Sequence, residues 1–186
     1  MMKRDECFRA LARHVTDEVV VATYSSAVDW LALGERALNY FSVGAMGLDS
    51  SHALGLALAR PDKRIICLQG DGSLLMNLGC LVTIAAAAPK NLVHMVVQNG
   101  TYEANGHPIP NTKVEFAAMA RAAGYAHVHE FSELANFERQ AAHVLKQDGP
   151  VFTTLHVERS KPLTYDYADL YDPARRVALK AALRAS

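Results

Sequence analysis

Two side chains 28 positions apart, Asp71 and Asn99, carry the most specific chemistry in this sequence. Asp71 sits in Gly70-Asp71-Gly72-Ser73, directly after the apolar run 65–68, and Asn99 closes a second apolar run, 93–97, in Gln98-Asn99-Gly100. A carboxylate and a side-chain amide oxygen are both hard donors. With a backbone carbonyl at Thr101 they supply half of an octahedron around Mg2+ and leave the other half to phosphate oxygens and water. Gly72 and Ser73 open a helical segment, where backbone N–H groups and the helix dipole favour an anion, and glycine lets a phosphate approach closely. The chemistry this implies is a magnesium-bridged diphosphate.

For these groups to meet, the chain between them has to return. Runs 65–68 and 93–97 read as parallel strands joined by a helix, and a right-handed βαβ unit lays the carboxyl ends of both strands along one edge of the sheet. The dinucleotide fingerprint is the obvious rival, and it fails twice. Its third glycine would fall on Leu75, and the second strand ends in Gln98-Asn99 where an acidic ribose ligand belongs.

The flanking chain repeats the strand–helix alternation. Periodicity predicts a helix over 5–14, a strand over 18–22 ending in polar Thr23-Tyr24-Ser25-Ser26, and a helix over 27–33. Tyr24 and the two serines are candidate crevice residues, with Ser25 or Ser26 as the helix N-cap. A strand over 39–43 then leads through Gly44-Ala45-Met46-Gly47 into a helix rich in small residues that ends at 59. Further helices are expected over 114–123, 132–146 and 173–185, and strands over 126–129 and 151–157. The fold class is α/β: a three-layer α/β/α sandwich around a doubly wound parallel sheet over residues 1–162. The extension 163–186 is either a capping helix or a docking element.

Composition narrows the partners. The apolar fraction of 51% over 186 residues is ample for one core, and 19 basic against 19 acidic residues leave no global field for nucleic acid or an anionic membrane surface. Cys7, Cys67 and Cys80 are widely spaced in apolar or helical contexts, which fits reduced core thiols. The chain has no apolar run near 20 residues, and acids interrupt its first helix, so neither a membrane span nor a secretory signal is expected. The expected compartment is the cytoplasm.

GDG followed after 26 residues by Asn99 resembles the thiamine diphosphate motif. The resemblance implies a diphosphate-binding domain holding thiamine diphosphate and Mg2+. Its metal ligands would be Asp71, Asn99 and Thr101, and Gly70, Gly72, Ser73 and Tyr102 would complete the cofactor shell. The stretch FSVGAMGLDSSHALGLALA is similar to the family segment that holds the aminopyrimidine. Carried over, Gly44 offers its carbonyl to the exocyclic amine, Ala45 lies beside it, and Met46 props the cofactor in a bent shape. The glutamate that tautomerises the pyrimidine lies, in the family, in a separate domain that 186 residues do not accommodate.

Over residues 5–160 the chain resembles the diphosphate-binding half of the sulfopyruvate and phosphonopyruvate decarboxylases. This implies one subunit of a hetero-oligomer that decarboxylates a small 2-oxo acid, with a second, pyrimidine-binding subunit supplying the glutamate. An acetolactate synthase-like carboligase and a non-catalytic cofactor-binding module are the alternatives. The loop after the metal site departs from the family's NGxYGSTGGQ and places Glu103, Asn105 and His107 where small residues are usual. These three are the candidate catalytic or substrate-contacting residues. His107 is a candidate acid, or a ligand for an anionic substrate tail. Glu103 would repel a sulfonate or phosphonate if it pointed inward, although a loop carboxylate more commonly faces solvent.

Overall fold

A computed structural model of the chain describes residues 1–42, 46–110, 113–160 and 165–185. The elements run α1 (Arg4–Ala12), β1 (Val19–Ala22), α2 (Tyr24–Leu31), β2 (Asn39–Phe41), α3 (Asp49–Ala59) and β3 (Ile65–Gly70). Next come α4 (Asp71–Met76), α5 (Cys80–Ala87), β4 (Leu92–Gln98), β5 (Thr101–Tyr102) and β6 (His107–Pro108). The chain closes with α6 (Phe116–Ala123), β7 (His127–Phe131), α7 (Leu134–Lys146), β8 (Val151–His156), α8 (Tyr167–Leu170) and α9 (Pro173–Ala185).

Six strands form one parallel sheet in the order β2-β1-β3-β4-β8-β7, while β5 and β6 make a separate two-stranded hairpin. The sheet buries both faces, which is why its central strands are continuous rather than alternating apolar runs. All four residues of β1 are buried; Val20 and Ala22 pack on the face covered by α1, α2 and α7, and Val19 and Val21 pack on the face covered by α3, α5 and α6. Each fully buried valine or isoleucine in these strands contributes roughly 1.5–3 kcal/mol. The architecture is the expected three-layer α/β/α sandwich.

From β1 the chain winds outward to β2, then crosses back to β3 and proceeds toward β4. The direction of winding therefore reverses between β1 and β3, and ligand crevices in open α/β sheets lie at the carboxyl ends of strands at such a reversal. The register Gly70↔Val97 brings the ends of β3 and β4 level, so Asp71 and Asn99 leave the sheet side by side.

Several boundaries differ from the periodicity reading. Helix α2 begins at Tyr24, so Ser25 and Ser26 lie inside its first turn and neither is the N-cap. That position falls to Thr23, whose hydroxyl donates to the Ser42 carbonyl at 2.9 Å instead of capping the helix. Tyr24 has φ +45°, a left-handed value that is strained for a bulky residue. The segment after Ser73 is two helices, broken at Asn77, whose side-chain amide donates to the Gly47 carbonyl at 2.8 Å. Helix α6 ends as expected at Gly124, which takes φ +102°.

The C-terminal extension packs on its own chain. Helix α9 lies against edge strand β2 and buries Leu179 in the core beside α3, while Arg175 stacks over the Phe41 ring at 5.8 Å. Arg175 also pairs with Glu35 at 2.5 Å and Asp169 at 2.8 Å. Covering an edge strand in this way removes a template for unwanted strand pairing.

Candidate active site

A cleft of about 380 Å³, mouth included, opens at the carboxyl ends of β1, β3 and β4. Its walls include Asp71, Ser73, Asn99 and Thr101, together with Met46 and Tyr24. The two residues that the sequence places together therefore do meet. One Asp71 oxygen accepts from the Gly72 N–H at 2.8 Å and the other from the Gly100 N–H at 2.7 Å, so the carboxylate is tied directly to the turn that carries Asn99. Gly100 delivers its N–H from φ +73°, a conformation that glycine takes at least cost. The Asn99 side-chain oxygen in turn accepts from the Thr101 N–H and hydroxyl, both at 2.9 Å, which fixes its orientation.

Asp71 is 1% exposed, and among the described residues no cationic side chain is bonded to it. Burial pushes its pKa up to about 6, against the pull of the backbone N–H groups of Gly100 and Gly72. A buried carboxylate in that condition fits a divalent cation, which would supply the missing counter-charge. Among the described residues no group of three His, Cys, Asp or Glu side chains can hold a metal, and the oxygens on offer beside the turn are the Asp71 carboxylate with amide and backbone oxygens. That all-oxygen mixture suits magnesium.

Gly72 is needed for a reason the sequence did not show. A Cβ at this position would meet Cδ1 of Tyr102 at 2.6 Å, so the ring of Tyr102 fills the space that the glycine leaves. The glycine thus locks the β5–β6 hairpin onto the turn; its N–H is not free, being spent on Asp71. Ser73 is likewise committed. Its hydroxyl donates to the Asp49 carboxylate at 3.1 Å and accepts the Gly47 N–H at 2.8 Å.

Behind Ser73 runs a buried chain of polar groups that periodicity did not single out. The Gln69 amide donates to Asp49, its carbonyl lies 2.6 Å from His94 Nε2, and His94 Nδ1 lies 3.0 Å from the Tyr125 hydroxyl. Because Gln69 spends its N–H2 on a carboxylate, its oxygen must accept, which assigns the proton to His94 Nε2 and makes Tyr125 the donor to Nδ1. Every donor in the chain therefore points toward Asp49. Burial pushes Asp49 up to about 7 and His94 down to about 3.

The loop residues part company. Glu103 points inward and lines the cleft; its carboxylate pairs with the Arg4 guanidinium, which also pairs with Asp29 at 2.6 Å. Solvent exposure, the commoner state of a loop carboxylate, is thus not what this one adopts, because a buried cation is waiting for it. Asn105 and His107 are exposed on the hairpin and form no part of the cleft wall. The cofactor contacts expected of Gly44 and Ala45 fall outside the described residues, whereas Met46 does reach the cleft. Arg4 was not singled out in the sequence; a cation in an amphipathic N-terminal helix carries no sign of burial. His94 did leave a signal, since a histidine inside the apolar run NLVHMVV has to be hydrogen-bonded.

With this geometry in hand, the class of protein is defined. Residues 21–155, from β1 into β8, match the thiamine pyrophosphate enzyme family through its C-terminal TPP binding domain, and the chain belongs to that family. It is 37% identical over 151 residues to a phosphonopyruvate decarboxylase of Streptomyces viridochromogenes, which spans 80% of this chain and 38% of that relative. It is 34% identical over 160 residues to the sulfopyruvate decarboxylase subunit beta of Methanothermobacter thermautotrophicus, covering 85% of this chain and 83% of that subunit. The chain thus corresponds to under half of the first relative and most of the second. Among solved structures, benzoylformate decarboxylase from Polynucleobacter necessarius superposes with a TM-score of 0.71 at 19% identity, covering 86% of this chain and 34% of that one, which establishes the shared fold.

Proposed function

We propose that this chain is the diphosphate-binding, beta-type subunit of a thiamine diphosphate- and magnesium-dependent, non-oxidative 2-oxo acid decarboxylase. The observation that carries the reading is the tie between Asp71 and the Asn99-Gly100 turn: a buried carboxylate with no cation bonded to it among the described residues, next to an oriented amide oxygen, at the sheet's winding reversal. Asp71, Asn99 and the Thr101 carbonyl would hold magnesium, and the metal would hold the diphosphate. Met46, in the cleft wall, would prop the cofactor in the bent form. Thiamine diphosphate, when bound, supplies the carbon nucleophile and electron sink for loss of carbon dioxide.

This chain's own residues would position that group. The Tyr102 ring seated on Gly72 holds the hairpin beside the metal site, and the Ser73–Asp49–Gln69 contacts hold the turn from behind. A separate pyrimidine-binding subunit would provide the glutamate for the aminopyrimidine, in keeping with the naming of the methanogen relative as a beta subunit. Of the three loop candidates, Glu103 alone is retained for a role in the cleft, because Asn105 and His107 lie outside its wall.

The test is thermal melting with magnesium and thiamine diphosphate, added singly and together, on the chain and on its complex with the partner. A stabilisation that requires both ligands is expected. Asp71→Ala should weaken magnesium-dependent cofactor binding by more than about 100-fold while the far-ultraviolet spectrum stays unchanged, since it removes the one anionic ligand. Unaltered cofactor affinity in that variant would refute the metal assignment.

A further inference from the structure

The cleft holds a charge arrangement that the diphosphate site does not use. Arg4 is 4% exposed and sits between two carboxylates, Asp29 and Glu103, whose side chains are 18% and 10% exposed. One cation against two anions leaves the cluster with a net charge of about −1. Among the described residues, two of its atoms find no hydrogen-bond partner: Arg4 Nη2, a donor, and Glu103 Oε1, an acceptor. Both belong to side chains in the wall of the same cleft as Asp71 and Asn99. Buried polar atoms are rarely left in this state, so both side chains keep hydrogen-bonding capacity that the Arg4–Glu103 pair does not use.

We propose that Glu103 sets the substrate class of this cleft: the site selects 2-oxo acids whose far end is an uncharged group that both accepts and donates a hydrogen bond, and rejects those ending in a second anion. The proposal rests on the decarboxylase reading above and narrows it. An uncharged hydroxyl or carboxamide adds no charge to the cluster and can both donate and accept, which suits a wall with hydrogen-bonding capacity left on Arg4 and on Glu103. A sulfonate, phosphonate or carboxylate would bring a further negative charge to a guanidinium already claimed by two carboxylates, beside side chains so little exposed that like charges are weakly screened. Repulsion of that kind discriminates more sharply than the loss of a methylene contact.

A merely structural Arg4–Glu103 pair, anchoring the hairpin to α1, makes a different prediction, because removing its charge would lower stability without changing selectivity. The deciding measurement is kcat/KM of the magnesium- and thiamine diphosphate-loaded complex with its partner subunit on hydroxypyruvate, sulfopyruvate and phosphonopyruvate. The wild type should favour hydroxypyruvate by tenfold or more. Glu103→Gln should raise the ratio of kcat/KM for the two anion-tailed acids over that for hydroxypyruvate at least tenfold. A wild type that prefers either anionic acid, or a Glu103→Gln variant with an unchanged ratio and only a lower melting temperature, would overturn the proposal.

A second arm needs no turnover, so it separates this inference from failure of the decarboxylase reading. Phosphonoacetate is titrated calorimetrically into the full chain. Glu103→Gln should bind it at least tenfold more tightly than the wild type, and Arg4→Met/Glu103→Gln, which removes cation and carboxylate together, should lose the gain. Equal affinity in wild type and Glu103→Gln would sink the charge argument, whatever the cofactor measurements show.

Discussion

Two buried polar regions lie back to back at the carboxyl edge of the sheet, and they are built differently. Behind the Gly70-Asp71-Gly72-Ser73 turn, Tyr125, His94, Gln69 and Ser73 form a closed series in which each link has a partner and all donors lead to Asp49. In front of the turn, among the described residues, Asp71 has only backbone N–H groups, while Arg4 and Glu103 each keep an unpartnered atom. A satisfied network rigidifies what it touches, whereas an unpaired buried polar group is costly until something pairs with it. Under the function proposed above, the rear supports the turn and the front recognises the ligand.

The pH dependence of stability offers the largest test of the rear. His94 titrates near 3 in the fold against an ordinary 6.5, so acidification through that interval protonates the unfolded chain first and lowers stability. Asp49 titrates near 7 against an ordinary 3.8, so acidification through that interval protonates the folded chain first and raises stability. The two contributions oppose one another between about pH 4 and 6.5. Asp49→Asn leaves only the histidine, and the variant should lose roughly 3 kcal/mol relative to wild type on going from pH 7 to 4, read from denaturant unfolding. Superimposable pH profiles would mean that the rear series is not ionised as described.

At the boundary between the regions, Gly72→Ala drives a Cβ into the Tyr102 ring. The hairpin must move, and cofactor affinity should fall by tenfold or more, a loss of about 1.4 kcal/mol at least. Tyr102→Ala in the same chain should recover part of that affinity, since it removes the obstruction. A Gly72→Ala variant with wild-type affinity would show that the hairpin's seat on the turn is incidental. The smallest effect is expected at the exposed tip. Alanine at Asn105 or His107 should change kcat/KM by less than about twofold, because surface substitutions remote from such features alter energies by about 0.5 kcal/mol or less. A larger loss would return these residues to the site.

Much of this was legible in the chain. The apolar runs around Ile66 and Val96 announced buried parallel strands, and the 28-residue separation of Asp71 and Asn99 was enough to bring them to one edge, because a βαβ crossover has one hand and one length scale. Other features were not legible, for identifiable reasons. Helix α2 starts early because Tyr24 takes a left-handed φ, a cost that only surrounding structure can impose. The Gly72 constraint depends on a ring 30 positions away that reaches it through the hairpin. Arg4 and Glu103 are 99 positions apart, and neither carries any local sign that the other will bury it.

Sequence alone determined the layer architecture and the strand-end placement of the acid and the amide, while the kind of cofactor came from the resemblance of the GDG and Asn99 pattern to a family motif. The first two follow from periodicity and from the fixed handedness of local connections, which act within a few tens of residues. Tertiary structure alone decided which way Glu103 faces, which atoms remain without partners, and that Ser73 answers to Asp49. Those outcomes depend on long-range packing that excludes water from charged groups, and the free energy of a charge is set by whatever the fold brings within a few ångströms of it.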